Sequence, residues 1–251
     1  MKHIVNLSGG KDSTAMLLLM LEQQMPIDYI IFCDTGKDFP QMIKHLNLLA
    51  SYLMSNFPNA PRITTIRLEV DNSITVATGQ IIKQSNSKTY DHFMFEHIKT
   101  KGKNKGKKGY GWATMLCRWC TSKLKTDTIA RFCKQLGDDV IHYVGIAYDE
   151  PNRIKYKPNY RYPLFEQHIT EKQALQYCYD GGFDWDGLYE HFDRLSCWCC
   201  PLKNLKELKV LWKFYPELWA ELKEMDDKSY NKFRADYSIL ELEQKFIMEE
   251  K

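Results

Sequence analysis

Apolar positions recur along this chain with two periods, and the change from one to the other marks its elements. His3-Ile4-Val5-Asn6-Leu7 reads as a short strand, and Thr14 to Leu21 as a helical run. Between them lies Ser8-Gly9-Gly10-Lys11-Asp12-Ser13, so the chain opens as strand, glycine turn, helix. Ile27 to Phe32 has the continuous apolar character of a buried parallel strand and ends in the polar turn Cys33-Asp34-Thr35-Gly36. Pro40 begins a helix that runs to about Phe57, with Ile43, Leu46, Leu49, Ala50 and Leu53 on one face. Arg62 to Val70 alternates, with Ile63, Ile66 and Leu68 apolar, and reads as a third strand. Ser73 to Lys83 fits neither period.

Further on, Thr121 to Leu136 reads as a helix and Asp139 to Ile146 as a strand, ending at Ala147-Tyr148-Asp149-Glu150-Pro151. Tyr160 to Phe165 is a short strand or extended segment. Ile169 to Tyr179 is helical. Thr170 as N-cap with Gln173 three residues on forms a capping box, and Gly181-Gly182 ends the helix. Asp186 to Phe192 reads as another short helix. After Pro201 the pattern stays helical, with breaks near Pro216 and Asp226-Asp227. The stripe Leu205, Leu208, Leu211, Trp212 and Tyr215 is expected to face the core.

Composition narrows the class. A length of 251 residues suits one α/β domain with an appendage, and 44% apolar residues can build its core. A net charge of +3 is too small to argue for a nucleic-acid partner by itself. No apolar run reaches the length of a membrane span, and the chain enters a strand at once, so neither a span nor a signal peptide is expected. Eight cysteines in a chain of cytoplasmic character point to metal or redox chemistry rather than disulfides.

One stretch departs from the rest. Lys99, Lys101, Lys103, Lys105, Lys107 and Lys108 are interleaved with Gly102, Gly106, Gly109 and Gly111. Such a composition cannot build a core and is expected to be a mobile loop. It reads either as a solvated insertion or as a lid or nucleic-acid clamp that meets phosphates. Tyr110 and Trp112 at its end are placed to stack on a base or to anchor the loop to the core.

The first turn carries the clearest chemistry. Its glycines let the backbone come close to a ligand. The turn aims N–H groups and the positive end of a helix at one point, which makes an anion site. Ser8 and Ser13 add hydroxyls and Lys11 a full charge. Asp12 is out of place there unless a metal or a proton is managed. The spacing is not that of the common phosphate loop, which needs four residues between Gly and Gly-Lys-Ser/Thr.

Cys117 and Cys120 form one Cys-x2-Cys pair, and Cys197 and Cys200 a second. Two such pairs far apart have metal-ligand spacing. Four thiolates suit tetrahedral Zn²⁺ or a [4Fe–4S] cluster. Cys199 is a fifth sulfur: a spare thiol, a persulfide carrier or an alternative ligand. Cys33, Cys133 and Cys178 read as small core residues.

Taken together, the sequence resembles the phosphoadenosine phosphosulfate (PAPS) reductase family of PP-loop enzymes. Five stretches carry the likeness. They are Ser8–Ser13; Phe32 to Gly36 with Pro40; Cys117 to Thr121 with Lys123 and Lys125; Gly145-Ile146 with Asp149, Glu150 and Arg153; and Arg194 with Cys197 to Pro201. The resemblance implies an adenine nucleotide alpha-hydrolase-like α/β fold. That fold has a parallel five-stranded sheet, helices on both faces and, here, a C-terminal helical appendage. Residues 1–202 would form the nucleotide-binding domain, including the lysine-rich loop at 97–111, and 203–251 a helical segment packed on it. The resemblance further implies an adenine nucleotide across the carboxyl ends of the strands. Ser8, Gly9, Gly10, Lys11, Asp12 and Ser13 would hold its phosphates, and Asp34, Thr35 and Gly36 would lie near the adenosine. Gly145, Ile146, Glu150 and Arg153 would close the other side, with Lys123 and Lys125 on phosphates or substrate. Cys117, Cys120, Cys197 and Cys200 would hold [4Fe–4S], or Zn²⁺, beside the nucleotide.

The reductases of this family end in a tail with a nucleophilic cysteine, and this chain has no cysteine after Cys200. That favours the members that cleave ATP to AMP and pyrophosphate and adenylate a substrate, often before sulfur insertion. Relatives of the cluster-bearing DNA-phosphorothioation and thiolation branch are of this kind. Lys11, Asp12 and Ser13 are then the catalytic residues, with Mg²⁺ on the phosphates and Asp12 as its protein contact. A nucleic acid or a sulfur-donor protein is the expected further partner. A sulfonucleotide reductase and a non-catalytic nucleotide-binding subunit are the alternatives.

Overall fold

The computed structural model describes residues 1–80, 82, 88–102, 104–137 and 139–250. Its strands are β1 (Lys2–Leu7), β2 (Tyr29–Cys33), β3 (Ile63–Leu68), β4 (Ile74–Thr78), β5 (Val140–Val144) and β6 (Tyr160–Arg161). They form one sheet in the order β4-β3-β2-β1-β5-β6. All neighbours are parallel except β3 and β4, which are antiparallel. The sheet thus has six strands where five were expected. The addition is β4, an edge strand from the stretch that fitted neither period. Its residues are half-buried or exposed, so it carries little apolar signal.

The strands alternate between two cores, as a two-residue period requires. Val5, Leu7, Ile30 and Phe32 face the larger core, while Ile4, Ile31 and Ile66 face a smaller one with Phe132, Cys133 and Val140. The principal helices are α1 (Lys11–Glu22), α2 (Pro40–Asn56), α3 (Lys88–Asp91), α4 (Asp127–Leu136), α5 (Pro163–Glu166), α6 (Glu171–Asp180) and α7 (Leu188–His191). Phe132 and Cys133 of α4 cover the smaller core, and α1, α2 and α6 contribute to the larger, so helices flank both faces. Among the described residues no helix is long and apolar enough to cross a membrane.

Chain order explains where a ligand can sit. From β1 the chain moves outward through β2 and β3, then returns to place β5 on the other side of β1. Connections leaving β1 and β5 part company there, and their carboxyl ends border a crevice. The glycine turn leaves β1 at this point and Gly145 leaves β5.

Two predicted elements differ in detail. The helix expected over 121–136 starts as a π-helical turn, Thr121–Thr126, and becomes α-helical only at α4. The segment expected to be helical from Asp186 begins with a 3-10 turn, and Asp186 itself has φ of 50°.

The lysine-rich stretch folds back on itself. Ile98 and Lys108 form an antiparallel bridge, the Lys99 N–H donates to the Lys107 carbonyl, and the Gly106 N–H donates to the Lys99 carbonyl. Lys99 is buried, with its ammonium over the rings of Tyr110 and Tyr230. The Tyr230 hydroxyl donates to the Tyr110 carbonyl at 2.6 Å. Lys103 lies outside the described residues. Tyr110 stacks on His97 and Trp119, and Trp112 is buried with its indole N–H on Asp226. Both rings are thus used to anchor the segment.

The chain closes with α8 (Leu205–Phe214), α9 (Pro216–Lys228) and α10 (Ile239–Glu249). Capping boxes at Asn204/Glu207 and Ser238/Glu241 start α8 and α10. Leu208, Leu211, Trp219, Leu222, Ile239, Leu242 and Phe246 belong to the same apolar core as Leu7 and Met16. Leu205, Trp212 and Tyr215 pack at its edge, as the stripe predicted.

Candidate functional site

The glycine turn is held from three sides. Gly9 has φ of 81°, a conformation that suits glycine, and its carbonyl accepts the indole N–H of Trp185 at 2.7 Å. Ser8 and Ser13 hydroxyls lie 2.9 Å apart, and Ser13 Oγ also receives the Ser8 N–H. Gly10 is the N-cap of α1 and has no side chain to cap it. First-turn amides are therefore available to an anion, although the Lys11 N–H is met by the Tyr189 hydroxyl at 2.7 Å. The Lys11 side chain is buried. Its ammonium donates to Glu171 Oε1 at 2.8 Å and to the Asp193 carbonyl at 3.2 Å. A ligand phosphate has to compete with Glu171 for that charge.

Asp12, Glu150 and Glu171 converge beside this turn, with one carboxylate oxygen of each within 4.8 Å of the others. Asp12 Oδ1 is buried without a hydrogen-bond partner among the described residues. Burial pushes the Asp12 carboxyl up to about 6; Glu171 and Glu150 add to the rise, and Lys11 and Arg153 oppose it. Glu150 pairs with Arg153 and, at 3.5 Å, with Arg194. Gly145 is essential to the approach of β5, because a Cβ there would lie 2.8 Å from the Asp12 backbone carbonyl and Ser13 Cα. Ile146 is buried behind it.

The second turn, Asp34-Thr35-Gly36, reaches toward the sulfurs. Asp34 accepts the Gly36 N–H at 2.8 Å, and Thr35 Oγ1 lies 3.6 Å from Cys197 Sγ. The Trp198 N–H donates to the Lys37 carbonyl, which ties this turn to the second cysteine pair. Cys199 is buried and Cys120, Cys197 and Cys200 are half-buried; Cys120 and Cys197 each feel Cys200, and Cys199 feels Cys197 and Cys200, so the four sulfurs are neighbours. The Tyr90 hydroxyl bonds Cys199 there. Burial pushes the Cys197 thiol up to about 11, with Lys125 opposing, and pushes Cys199 well above the usual thiol range.

Cys117 is exposed on the outer side of the Cys120 turn. It lines an open cavity of about 520 Å³ with Arg118, Lys123 and Tyr110. The structure thus brings Cys120, Cys197 and Cys200 together with Cys199 and sets Cys117 at the rim. A tetrahedral zinc ion at 2.3 Å from each sulfur needs sulfurs about 3.8 Å apart. Among the described residues no three thiols come within 4.8 Å of one another. A cluster of four irons holds its thiolates further apart than a single ion does.

Lys123, Lys125 and Arg153 go to different places. Lys123 pairs with Asp127 at 3.2 Å on the outer cavity. Lys125 faces the sulfur compartment, where Cys197 above all, then Asp38, Cys33 and Cys120, raise its affinity for a proton despite burial. Arg153 stays at the acidic turn with Glu150. Cys33 donates to the Leu124 carbonyl, and Cys178 packs beneath the Lys11 carbonyl.

Several contributors carry no local sequence signal. Glu171, Trp185 and Tyr189 reach the first turn from more than 150 positions away. Glu171 follows the capping Thr170, and that box marks its helix but not its target. Lys37 and Lys203, both buried beside the sulfurs, follow the two motifs directly.

Comparison with known proteins agrees with this arrangement. Residues 2–59 match the phosphoadenosine phosphosulfate reductase domain, a stretch that holds β1, the glycine turn, α1, β2, the Asp34 turn and α2. This part of the chain is thus similar to the PAPS reductase domain of PP-loop enzymes, and the α/β architecture around it is consistent with an adenine nucleotide alpha-hydrolase-like fold. The chain is also 25% identical over 231 residues to an uncharacterized protein of Methanocaldococcus jannaschii, covering 87% of this chain and 40% of that protein. It therefore spans well under half the length of that curated relative.

Proposed function

We propose that this protein is a PP-loop ATP pyrophosphatase. It cleaves ATP to AMP and pyrophosphate and adenylates a substrate for sulfur transfer to a nucleic acid or a small molecule. The observation that carries the reading is the meeting of Asp12, Glu150 and Glu171 at the N-terminus of α1. Three carboxylates at an anion site repel a bare sulfonucleotide. They suit a triphosphate that arrives with a divalent cation. Asp12, Glu150 and Glu171 would hold Mg²⁺, which supplies positive charge between carboxylates and phosphates.

The chain's own groups divide the remaining work. First-turn amides of α1 and the Ser8 and Ser13 hydroxyls bind the β and γ phosphates. Lys11 exchanges Glu171 for the charge that develops on departing pyrophosphate, which is electrostatic catalysis. Arg153 and Arg194 balance Glu150 at the far side. A substrate oxygen attacks the α-phosphorus, the bond to the bridging oxygen breaks, and pyrophosphate leaves toward the glycine turn.

A reductase needs a thiolate nucleophile. Cys199, the alternative nucleophile the sequence offers, has no exposed surface and a thiol pKa raised by burial, which argues against that role. Cys120, Cys197 and Cys200, with Cys117 or Cys199, would hold a [4Fe–4S] cluster, with Zn²⁺ as the alternative. The cluster would supply sulfur or electrons to the acceptor.

The test is a pair of incubations. ATP with Mg²⁺ is expected to yield pyrophosphate, and PAPS with reduced thioredoxin to yield no sulfite. Sulfite release would establish the reductase instead. Nucleotide binding without turnover of either would establish a binding subunit.

A further inference from the structure

The small net charge of the chain conceals a division. Nine of its 35 lysines and arginines, and none of its 32 acidic residues, fall within residues 97–126. That segment carries +9, and the other 26 basic and 32 acidic residues carry −6. Six of the nine lie from Ile98 to Lys108, the stretch that folds back on itself. The base of this arm is seated tightly. A Cβ at Gly109 would strike the Met94 carbonyl, and one at Gly111 the Asn231 side chain. The Gly109 N–H donates to the His97 carbonyl at 2.8 Å, and the Gly111 N–H to the Met94 carbonyl at 2.9 Å. The far end is open, since a Cβ at Gly102 or Gly106 would meet nothing within 4 Å. The arm therefore stands out from the body on a fixed base.

Its lysines divide by task. Lys99 is buried over Tyr110 and Tyr230 and anchors the arm. Lys108 lines a cavity with Glu96, Glu221 and Glu224. Lys101, Lys105 and Lys107 are exposed and enter no ion pair among the described residues. Lysines of the C-terminal helical segment are used differently: Lys209, Lys213, Lys223 and Lys232 each meet a glutamate at 2.7–3.0 Å.

The composition of the arm selects its partner. From Lys99 to Gly109 the chain holds only Lys, Thr, Asn and Gly. The centre of a protein–protein interface is apolar and poor in lysine. A nucleic-acid interface is polar and strongly positive, and its phosphates ask only for charge and hydrogen-bond donors. Tyr110, at the base of the arm, also lines the open cavity of about 520 Å³ that holds Arg118 and Lys123, so basic groups continue inward from the arm.

We propose that the arm at 98–108 is a nucleic-acid clamp, in which Lys101, Lys105 and Lys107 bind the sugar–phosphate backbone and lead the strand toward the cavity at Arg118. Contacts of this kind position a strand and carry no base preference. That the bound strand is the acceptor rests on the ATP pyrophosphatase reading; the binding itself does not.

The experiment titrates the full chain, without ATP, with labelled oligonucleotides of one sequence as single-stranded RNA, single-stranded DNA and duplex DNA, and with labelled polyglutamate, over about 50–200 mM salt. The parent is expected to bind at least one nucleic acid more tightly than polyglutamate and to lose affinity as salt rises; the tightest form names the strand. The triple variant Lys101→Gln/Lys105→Gln/Lys107→Gln should bind on the order of 10- to 100-fold more weakly at about 50 mM salt, and its slope of log affinity against log salt should be shallower by about 2–3. Its melting temperature should equal the parent's, because the three side chains are exposed. Lys134→Gln/Lys206→Gln/Lys213→Gln removes the same charge from exposed positions on α4 and α8 and should bind like the parent. Equal weakening in both triple variants assigns binding to overall charge and overturns the clamp. Polyglutamate binding as tight as that of the nucleic acids, or no nucleic acid bound at about 50 mM salt, also overturns it. Pyrophosphate release from ATP, measured on the same proteins, keeps the two readings apart. Lost binding with intact release strikes the clamp alone, and intact binding without release upholds the clamp and strikes the pyrophosphatase.

Discussion

Lys11 and Glu171 are 160 positions apart in sequence, and their charged atoms meet at 2.8 Å beneath the glycine turn. The pair has two consequences. It holds the start of α6 against the start of α1, and it keeps the Lys11 charge in reserve until a stronger anion arrives. Glu171→Gln is expected to weaken the fold by about 1–3 kcal/mol, because Lys11 keeps only Asp12 as a charged neighbour. The same variant should bind Mg²⁺-free ATP more tightly, on the order of tenfold, since one repelling carboxylate is gone. With Mg²⁺ present the gain should vanish. Calorimetric ATP titrations with and without Mg²⁺ check this; tighter binding in both conditions would show that Glu171 does not help to hold the metal.

Asp12 makes stability depend on pH in an unusual direction. Its carboxyl titrates at about 6 in the folded chain, against 3.8 for the free group, chiefly because it is buried. Between these values the folded protein keeps a proton that the unfolded chain has lost. Stability from this group is therefore present at low pH and lost as pH rises through 6. The loss is about 3 kcal/mol at neutral pH. Asp12→Asn should accordingly be more stable than the parent at about pH 7.5, with the gap shrinking to roughly a third at about pH 4.5. Urea denaturation at both pH values measures it, and a gap that does not change with pH would contradict the assignment.

Gly145 tests the closeness of the two turns. In Gly145→Ala the new methyl meets backbone atoms of Asp12 and Ser13 at 2.8 Å, and backbone cannot swing aside as a side-chain tip can. A loss of about 1–3 kcal/mol is expected from such overpacking, together with weaker nucleotide binding, because the strain falls on the anion site. Thermal melting and ATP titration of the variant report both. Unchanged ATP affinity in a destabilised variant would separate the β5 turn from the ligand.

The parts of the molecule that could be read in advance share one property: their signal is local. The strand–glycine–helix start, the period-two strands and the Thr170 capping box all depend on residues a few positions apart. β4 escaped because an edge strand buries too little to show an apolar pattern. The lysine-rich stretch read as a mobile loop because one of the two rings that cover Lys99 belongs to Tyr230, far along the chain. The site divides the same way. Asp12 was conspicuous as an acid inside an anion-binding turn, but its companion Glu171 and the props Trp185 and Tyr189 come from α6, a 3-10 turn and α7, far along the chain. The two cysteine pairs were legible from spacing. That Cys117 sits at the rim while Cys199 turns inward depends on how the Cys120 turn winds, and spacing alone does not encode that.

The most direct test of the central claim follows the phosphates of ATP labelled at the α position, incubated with the protein and Mg²⁺. Cleavage between the α and β phosphates should deliver the label as AMP or as an adenylated acceptor, with equal pyrophosphate, and Lys11→Ala should slow this on the order of 100-fold. Label appearing as ADP, or a Lys11→Ala variant that releases pyrophosphate at the parent rate, would contradict the account.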